Sequence, residues 1–419
     1  MAEESQVWAI RDQENSMTDR EILRNLAGRV RELAELPVMA ERRQLWARHN
    51  ALQPTRPLIQ VSPEGSWPEV LPDSQLQCVD KQLRGWEWGL RARIYQAEII
   101  RDDSILEPFF DFGWHVQIGN YGVDVPYTHG DNRGSYVWEA PLKNLERDLE
   151  RLHYRALSVD RAATQRDLVL GQKIFGDLLP VRQLWQPWWT VGLTWEAVRL
   201  IGLEELMLAM YDHPAELHRL MAFLRDEMLH FIGWFEQEGL LTPNNAGNGC
   251  GSGGLATSDE LHPSATGTRL QDYWGFAESQ ETVGVSPQMF DEFILPYQVP
   301  ILEKFGLNYY GCCEGLEHRL SHVLKRVPRL RRVSVAPKAD QQIIADQLAG
   351  RYVFCRKADP VPVCVDFNEA NIRGDLRRTL QAAKGQPLEI ILKDTHTIQG
   401  DPRRLNRWVE IAREEVGRA

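Results

Sequence analysis

Two short strings hold the residues best able to do chemistry: Tyr310-Gly311-Cys312-Cys313-Glu314 and, far downstream, Asp394-Thr395-His396-Thr397. Each follows an apolar run that reads as a buried strand, and in a parallel α/β barrel all strands deliver their last residues to one face. Successive side chains of a strand point to opposite sides. Tyr310, Cys312 and Glu314 are therefore expected on one face and Gly311 and Cys313 on the other, with Asp394 and His396 also sharing a face. A thiolate, a neutral imidazole and one or two carboxylates form a donor set for a catalytic zinc with an open position. The spacing alone is no zinc signature, because the chain has no C-x-x-C pair. The plainer reading makes the two cysteines small buried residues and His396 a hydrogen-bonded loop histidine.

These strings sit in a chain of 419 residues, 43% hydrophobic and 26% charged, a composition that fits one large α/β domain with additions. A formal net charge of -11 argues against a nucleic-acid binder, which needs a basic face to collect phosphates. Six cysteines are too sparse for a disulfide framework, and MAEESQVWAIRDQENS has no apolar signal core, so a reducing cytoplasm is expected. No stretch reaches the roughly 20 apolar residues of a membrane span. Fourteen tryptophans are unusual, and Trp188 and Trp189 in QLWQPWWTVG could wall a pocket for a flat or methylated ligand. Tryptophan clusters also serve as ordinary core.

The elements that would position these residues can be read in order. From Asp19 to about Asn50, apolar residues at helical spacing (Ile22, Leu23, Leu26, Val30, Leu33) predict an N-terminal helical extension over 1–54. Pro57 to Trp67 reads as a first strand ending in the polar loop Ser62-Pro63-Glu64-Gly65-Ser66, followed by a helix from about Asp73 to Ile100. A long helical region from Trp195 to Leu240 breaks at Asp212-His213-Pro214. The glycine-rich run Asn244 to Gly254 lacks the lysine of a phosphate-binding loop and reads as a strand-end loop. Beyond it, strand and helix alternate through at least five units with short connections, which predicts parallel strands and right-handed crossovers. Polar or reactive residues end many of these strands: Glu64, Glu278, Cys312, Lys338, Lys357 and His396. That distribution suits a ring of loops on a (β/α)8 TIM barrel spanning 55–419.

These motifs resemble the uroporphyrinogen decarboxylase superfamily, whose members include porphyrinogen decarboxylases and zinc-dependent, corrinoid-linked methyltransferases on a (β/α)8 barrel. The resemblance covers Leu270 to the C-terminus well and the first half loosely. It rests on SPQMFDEFILPYQVPILEKFG (Ser286 to Gly306), on LNYYGCCEG, placed where the methyltransferases carry a His-x-Cys zinc motif, and on LEIILKDTHT, placed where they carry a last cysteine ligand. Cys312 matches the family cysteine, Tyr310 stands in the histidine's place, and His396 or Asp394 lies near the last ligand. The resemblance implies a methyltransferase with bound zinc on Cys312 and His396, completed by Glu314 or Cys313. Asp394 would orient His396, and Glu278 would occupy a polar pocket position. The corrinoid would come from a separate carrier protein, since Gly400 falls one residue late for a D-x-H-x-x-G corrinoid motif.

The remaining expectations concern the pocket. Glu64, Trp67, Trp188, Trp189, Tyr310 and Lys338 are expected to meet a small methyl donor or acceptor, Lys338 or Lys357 binding its anion, and His129 in THGDNRG to give a proton. Methyl transfer to or from cobalt, with a thiol, methoxy-aromatic or methylamine substrate, is the leading reading. A porphyrinogen carboxy-lyase is the second, disfavoured because the acidic Ser-Pro-Glu-Gly-Ser loop replaces an arginine-rich one and would repel a polycarboxylate. A non-catalytic barrel that binds an aromatic ligand through its tryptophans is the third. A homodimer is left open.

Overall fold

The computed structural model describes residues 17–130, 136–263 and 267–419. The expected absence of a signal core concerns residues outside that set, as does the end of the THGDNRGS loop. The N-terminal run forms two helices, Asp19–Ala34 and Pro37–Asn50. Thr18 and Glu21 cap the first reciprocally. Pro37 starts the second, since a residue without an N–H is tolerated in a first turn but not inside a helix. The spaced apolar residues Ile22, Leu23, Val30 and Leu33 are buried, as their periodicity predicts. The helix expected over Asp73 to Ile100 is regular only across Lys81–Tyr95 and widens into a π turn at Gln96–Ile100.

Six strands form the central parallel sheet: β1 (Leu58–Val61), β8 (Trp274–Ala277), β9 (Leu307–Tyr310), β10 (Leu330–Val335), β11 (Val353–Lys357) and β12 (Leu388–Leu392). Their order is β1-β12-β11-β10-β9-β8. Two further strands, β2 (Phe110–Phe112) and β7 (Val181–Gln183), pair in parallel with each other as a separate sheet. Three short strands, β3 (Val116–Ile118), β4 (Tyr127–His129) and β5 (Tyr136–Trp138), lie in the excursion between them, and β6 (Leu157–Val159) pairs antiparallel with β3. No described helix is long and apolar enough to cross a membrane.

Among the described residues the central strands do not pair into the closed eight-stranded ring expected from the sequence, and the hydrogen bonds at the two edges of the sheet show what lies there instead. Beside β1 the backbone N–H groups of Ile59 and Val61 donate to the carboxylates of Asp103 and Asp102, both at 2.8 Å, and Asp103 N–H returns a bond to Ile59 O. Beside β8 the N–H of Val191 donates to Phe276 O at 2.8 Å. Irregular segments thus satisfy both edges in place of strands, which removes the cost of unpaired buried backbone.

Alternation along the strands sorts side chains into an inner and an outer set. Trp274, Phe276, Leu307, Tyr309, Cys355 and Ile391 gather on the inner side together with Cys250 and Cys312. Ala277, Tyr310, Val333, Val335, Phe354, Ile390 and Leu392 face the surrounding helices. The glycine-rich run is not a rim loop but threads into this interior. Gly251 has φ +53°, and a Cβ there would overlap the Phe276 ring; one on Gly253 would lie 2.9 Å from an Arg332 nitrogen. Gly251→Ala is expected to lower stability by about 2–3 kcal/mol through overpacking and a disfavoured backbone, read by urea denaturation. The second N-terminal helix closes the same interior from below, with Trp46, His49 and Asn50 fully buried.

Candidate functional site

The reactive strand ends meet at one rim, but not in the arrangement that simple alternation predicts. β9 stops at Tyr310, and Gly311 turns the chain with φ +94°. Only a residue without Cβ adopts that conformation cheaply, so the alternation does not carry past it. Cys312 consequently joins the inner set, while Tyr310 faces out. The Tyr310 hydroxyl donates to Gln298 Oε1 at 2.6 Å and the side chain is fully buried, so it is a packing residue of the helix layer and not a substrate contact.

Cys312 and Cys313 are neighbours in space as well as in sequence, with sulfurs 3.5 Å apart. Cys312 is buried and Cys313 exposed. The hydrogen bond from Cys312 pulls the Cys313 thiol below its ordinary range. The same bond, with burial, pushes Cys312 well up. One proton therefore sits on the inner sulfur and the outer one leans toward thiolate.

Glu314 is buried with both oxygens engaged by backbone donors. Its Oε1 accepts the Ser279 N–H at 2.9 Å and its Oε2 the Cys312 N–H at 2.8 Å, so the carboxylate clamps the ends of β8 and β9 together. Glu278 is different. It is fully buried, its Oε2 accepts the Gln280 N–H at 3.0 Å, and its Oε1 has no partner among the described residues. Burial first, then the charges of Glu281 and Glu314, push its pKa well above the usual carboxylate range, which favours its protonated form. Gly192 gives it room: a Cβ there would lie 2.8 Å from Glu278 Oε1.

The far side of the rim is built from β1 and β12. Lys393 pairs with Glu64 at 3.1 Å, and Glu64 Oε2 accepts the Asp394 N–H at 2.7 Å. Burial works against the Lys393 charge, yet Glu64 and Asp394 outweigh it and raise its pKa. Glu64 and Asp394 both have left-handed backbones, φ +45° and +58°. Such conformations cost of order 1–3 kcal/mol in a residue other than glycine and cluster at functional sites. His396 is exposed and stands against Gly65, where a Cβ would lie 3.0 Å from its Nδ1.

Among the described residues no three His, Cys, Asp or Glu side chains are grouped so as to hold a metal ion. Cys312 and Cys313 meet, both Glu314 oxygens are already hydrogen-bonded, and His396 is exposed beside Gly65. The residues as placed do not make the expected zinc site.

Other sequence-based site residues separate cleanly. Trp188 is partly buried and packs edge-on against the core rings of Phe231, Phe235 and Phe305. Trp189 is 46% exposed and meets the inner ring of Phe276 edge-on at 5.2 Å, so it borders the interior. Trp67 lies against Trp88 and Tyr95 at the foot of the β1 loop. Lys338 projects into solvent, its side chain 84% exposed and 3.4 Å from Asp359. His129 is on the exposed β4–β5 hairpin with its ring beside Tyr136.

Residues that the sequence reading missed include Lys393, Ser252 and Tyr309. Lys393 directly precedes the singled-out Asp394, so strand-end position alone could have found it. Ser252 and Tyr309 gave no signal, because nothing local shows that the glycine-rich run turns inward.

No family model matches this chain, and no curated protein matches it. A solved structure does. The fold is similar to that of a methyltransferase from Methanosarcina mazei, with a TM-score of 0.51 and 11% identity over 89% of this chain and 98% of that one. At that identity the likeness establishes an α/β architecture of the same kind and leaves the chemistry to the rim.

Proposed function

We propose that the protein is a methyltransferase that moves a methyl group between a corrinoid on a carrier protein and a small substrate at the Cys312–Cys313 rim. The observation that carries this reading is the thiol pair beside the buried Glu278 carboxyl, whose pKa is raised and whose Oε1 has no partner among the described residues, all at the C-terminal ends of parallel strands. The name of the similar structure agrees with it. In this reading the Cys313 sulfur is the soft nucleophile that receives or passes the methyl group. Cys312 holds the shared proton, and Glu278 gives a proton to the departing heteroatom. The hydrogen bond from Cys312 favours the Cys313 anion and Lys393 adds to it, against the larger opposing charge of Asp394.

The test follows methylcobalamin absorbance with the purified protein and a panel of thiols and methoxy-aromatics. Turnover is expected with at least one acceptor or donor, and Glu278→Gln is expected to slow it about 10²-fold by removing the acid. Absence of turnover across the panel would sink the reading. Metal analysis of the same sample addresses zinc separately. A stoichiometric zinc lost on Cys312→Ala and His396→Ala would mean that the rim rearranges to close a ligand set that its present geometry leaves apart.

A further inference from the structure

We infer that Lys357, at the end of β11, anchors an anion subsite beneath the rim thiols that takes the carboxylate of a small planar substrate. This deepens the proposed function by naming a substrate class, and it rests on the rim being the reacting centre.

Lys357 is 1% exposed and points into the interior. Its Nζ donates to the Tyr309 hydroxyl at 2.8 Å and to Cys355 Sγ at 3.0 Å. Other charged side chains on the inner faces have opposite charges beside them: Arg332 meets Glu389 at 3.2 Å and Lys393 meets Glu64 at 3.1 Å. Among the described residues no carboxylate pairs with Lys357. Its two partners offer no charge either, because burial raises the Tyr309 pKa well above its ordinary value and pushes Cys355 up to about 11. A lysine placed out of water without a counter-charge is costly, and sites that accept the cost are commonly completed by a ligand. One donor of the amine remains unused.

The surroundings fix what that ligand looks like. The Tyr309 hydroxyl shares a hydrogen bond with Ser252 Oγ at 2.9 Å, and Ser252 stands close enough to Cys312 to lower its pKa, so the amine lies one side chain from the residues beneath the reactive rim. The Tyr309 ring stacks on Phe276 at 4.7 Å, and half-exposed Trp189 meets Phe276 edge-on. A row of aromatic side chains therefore runs from Trp189 at the surface through Phe276 and Tyr309 to Lys357, whose amine lies 5.3 Å over the Tyr309 ring. A flat ring follows that wall while its carboxylate supplies the missing charge in a charge-assisted hydrogen bond, leaving the far end of the molecule at the thiols. Lys357, not the solvated Lys338, is the anion-binding lysine.

The experiment titrates the full chain with benzoate and with benzamide, which match in shape and differ in charge, reading tryptophan fluorescence and heat. Benzoate is expected to bind at least about tenfold more tightly. Lys357→Met should erase the preference, and Lys357→Arg and Tyr309→Phe, which keep a cation at the site, should retain it. Equal affinity for the two probes, no benzoate binding, or an undiminished preference in Lys357→Met overturns the subsite. If Lys357→Met does not fold, an unchanged preference in Lys357→Gln overturns it in the same way. Binding is read without methyl transfer, so a lost benzoate preference with intact turnover fails the subsite alone, and the reverse fails only the proposed reaction.

Discussion

Cys313→Ser is expected to lower methyl transfer by about 10²-fold or more while leaving the fold intact. The side chain is exposed, so the substitution creates no cavity and buries no new polar group. What it removes is the only rim sulfur biased toward its anion, held there by the hydrogen bond from Cys312. A serine hydroxyl stays protonated at neutral pH and is a poor soft nucleophile. Cys312→Ser should be nearly as damaging for a different reason, since it withdraws the proton partner and puts a hydroxyl into a buried apolar setting. Turnover and thermal denaturation of both variants separate the two cases. Activity within threefold of the wild type in Cys313→Ser would remove that sulfur from the mechanism.

Breaking the charge pair in the floor of the sheet is expected to give the largest loss of stability. Arg332 and Glu389 lie 3.2 Å apart, His49 Nε2 is 3.3 Å from the same carboxylate, and all three side chains are fully buried. Arg332 also donates to Gly254 O, Leu255 O and Asn50 Oδ1, tying the glycine-rich run and the N-terminal helix to β10. Arg332→Met should cost about 3–5 kcal/mol, because it leaves a carboxylate buried beside a histidine that burial holds neutral. Urea denaturation at pH 7 measures it, and the double variant Arg332→Met/Glu389→Leu should recover part of the loss. The same pair sets an acid limit. Burial would raise the Glu389 pKa, but Arg332 and His49 outweigh it and bring it to about 2. A depressed carboxylate contributes its stability above the unfolded value near 4.3, and that contribution fades as pH falls toward about 2, amounting to ~3 kcal/mol over the window. Glu389→Leu should flatten that part of the pH profile.

The sequence was informative where structure is local. Helical periodicity placed the buried face of Asp19–Ala34, and the apolar runs before Cys312 and Asp394 are the strands β9 and β12. Strand-end position was a sound guide to Glu64, Glu278 and Cys312, all of which reach the rim. It failed where one backbone torsion intervened: Gly311 reverses the chain, so Tyr310 faces helices and Cys312 faces the interior. Glu314 misled for a related reason. Its type suits a metal, but the backbone N–H groups of Ser279 and Cys312, at the ends of β8 and β9, each take one of its oxygens. The open edges of the sheet were illegible, because no local pattern shows that Asp102 and Asp103 use side chains where a strand would use its backbone.

The contact between His49 and Glu389 joins a helix made early in synthesis to a strand made near its end. During translation the first two helices emerge with Trp46 and Asn50 lacking the surfaces they later cover, and the floor they seal is completed only once residue 389 has left the ribosome. Long-range closure of this kind slows folding and leaves apolar surface uncovered meanwhile. Capture by chaperones, and aggregation when expression is fast, are thus to be looked for first in the N-terminal helices.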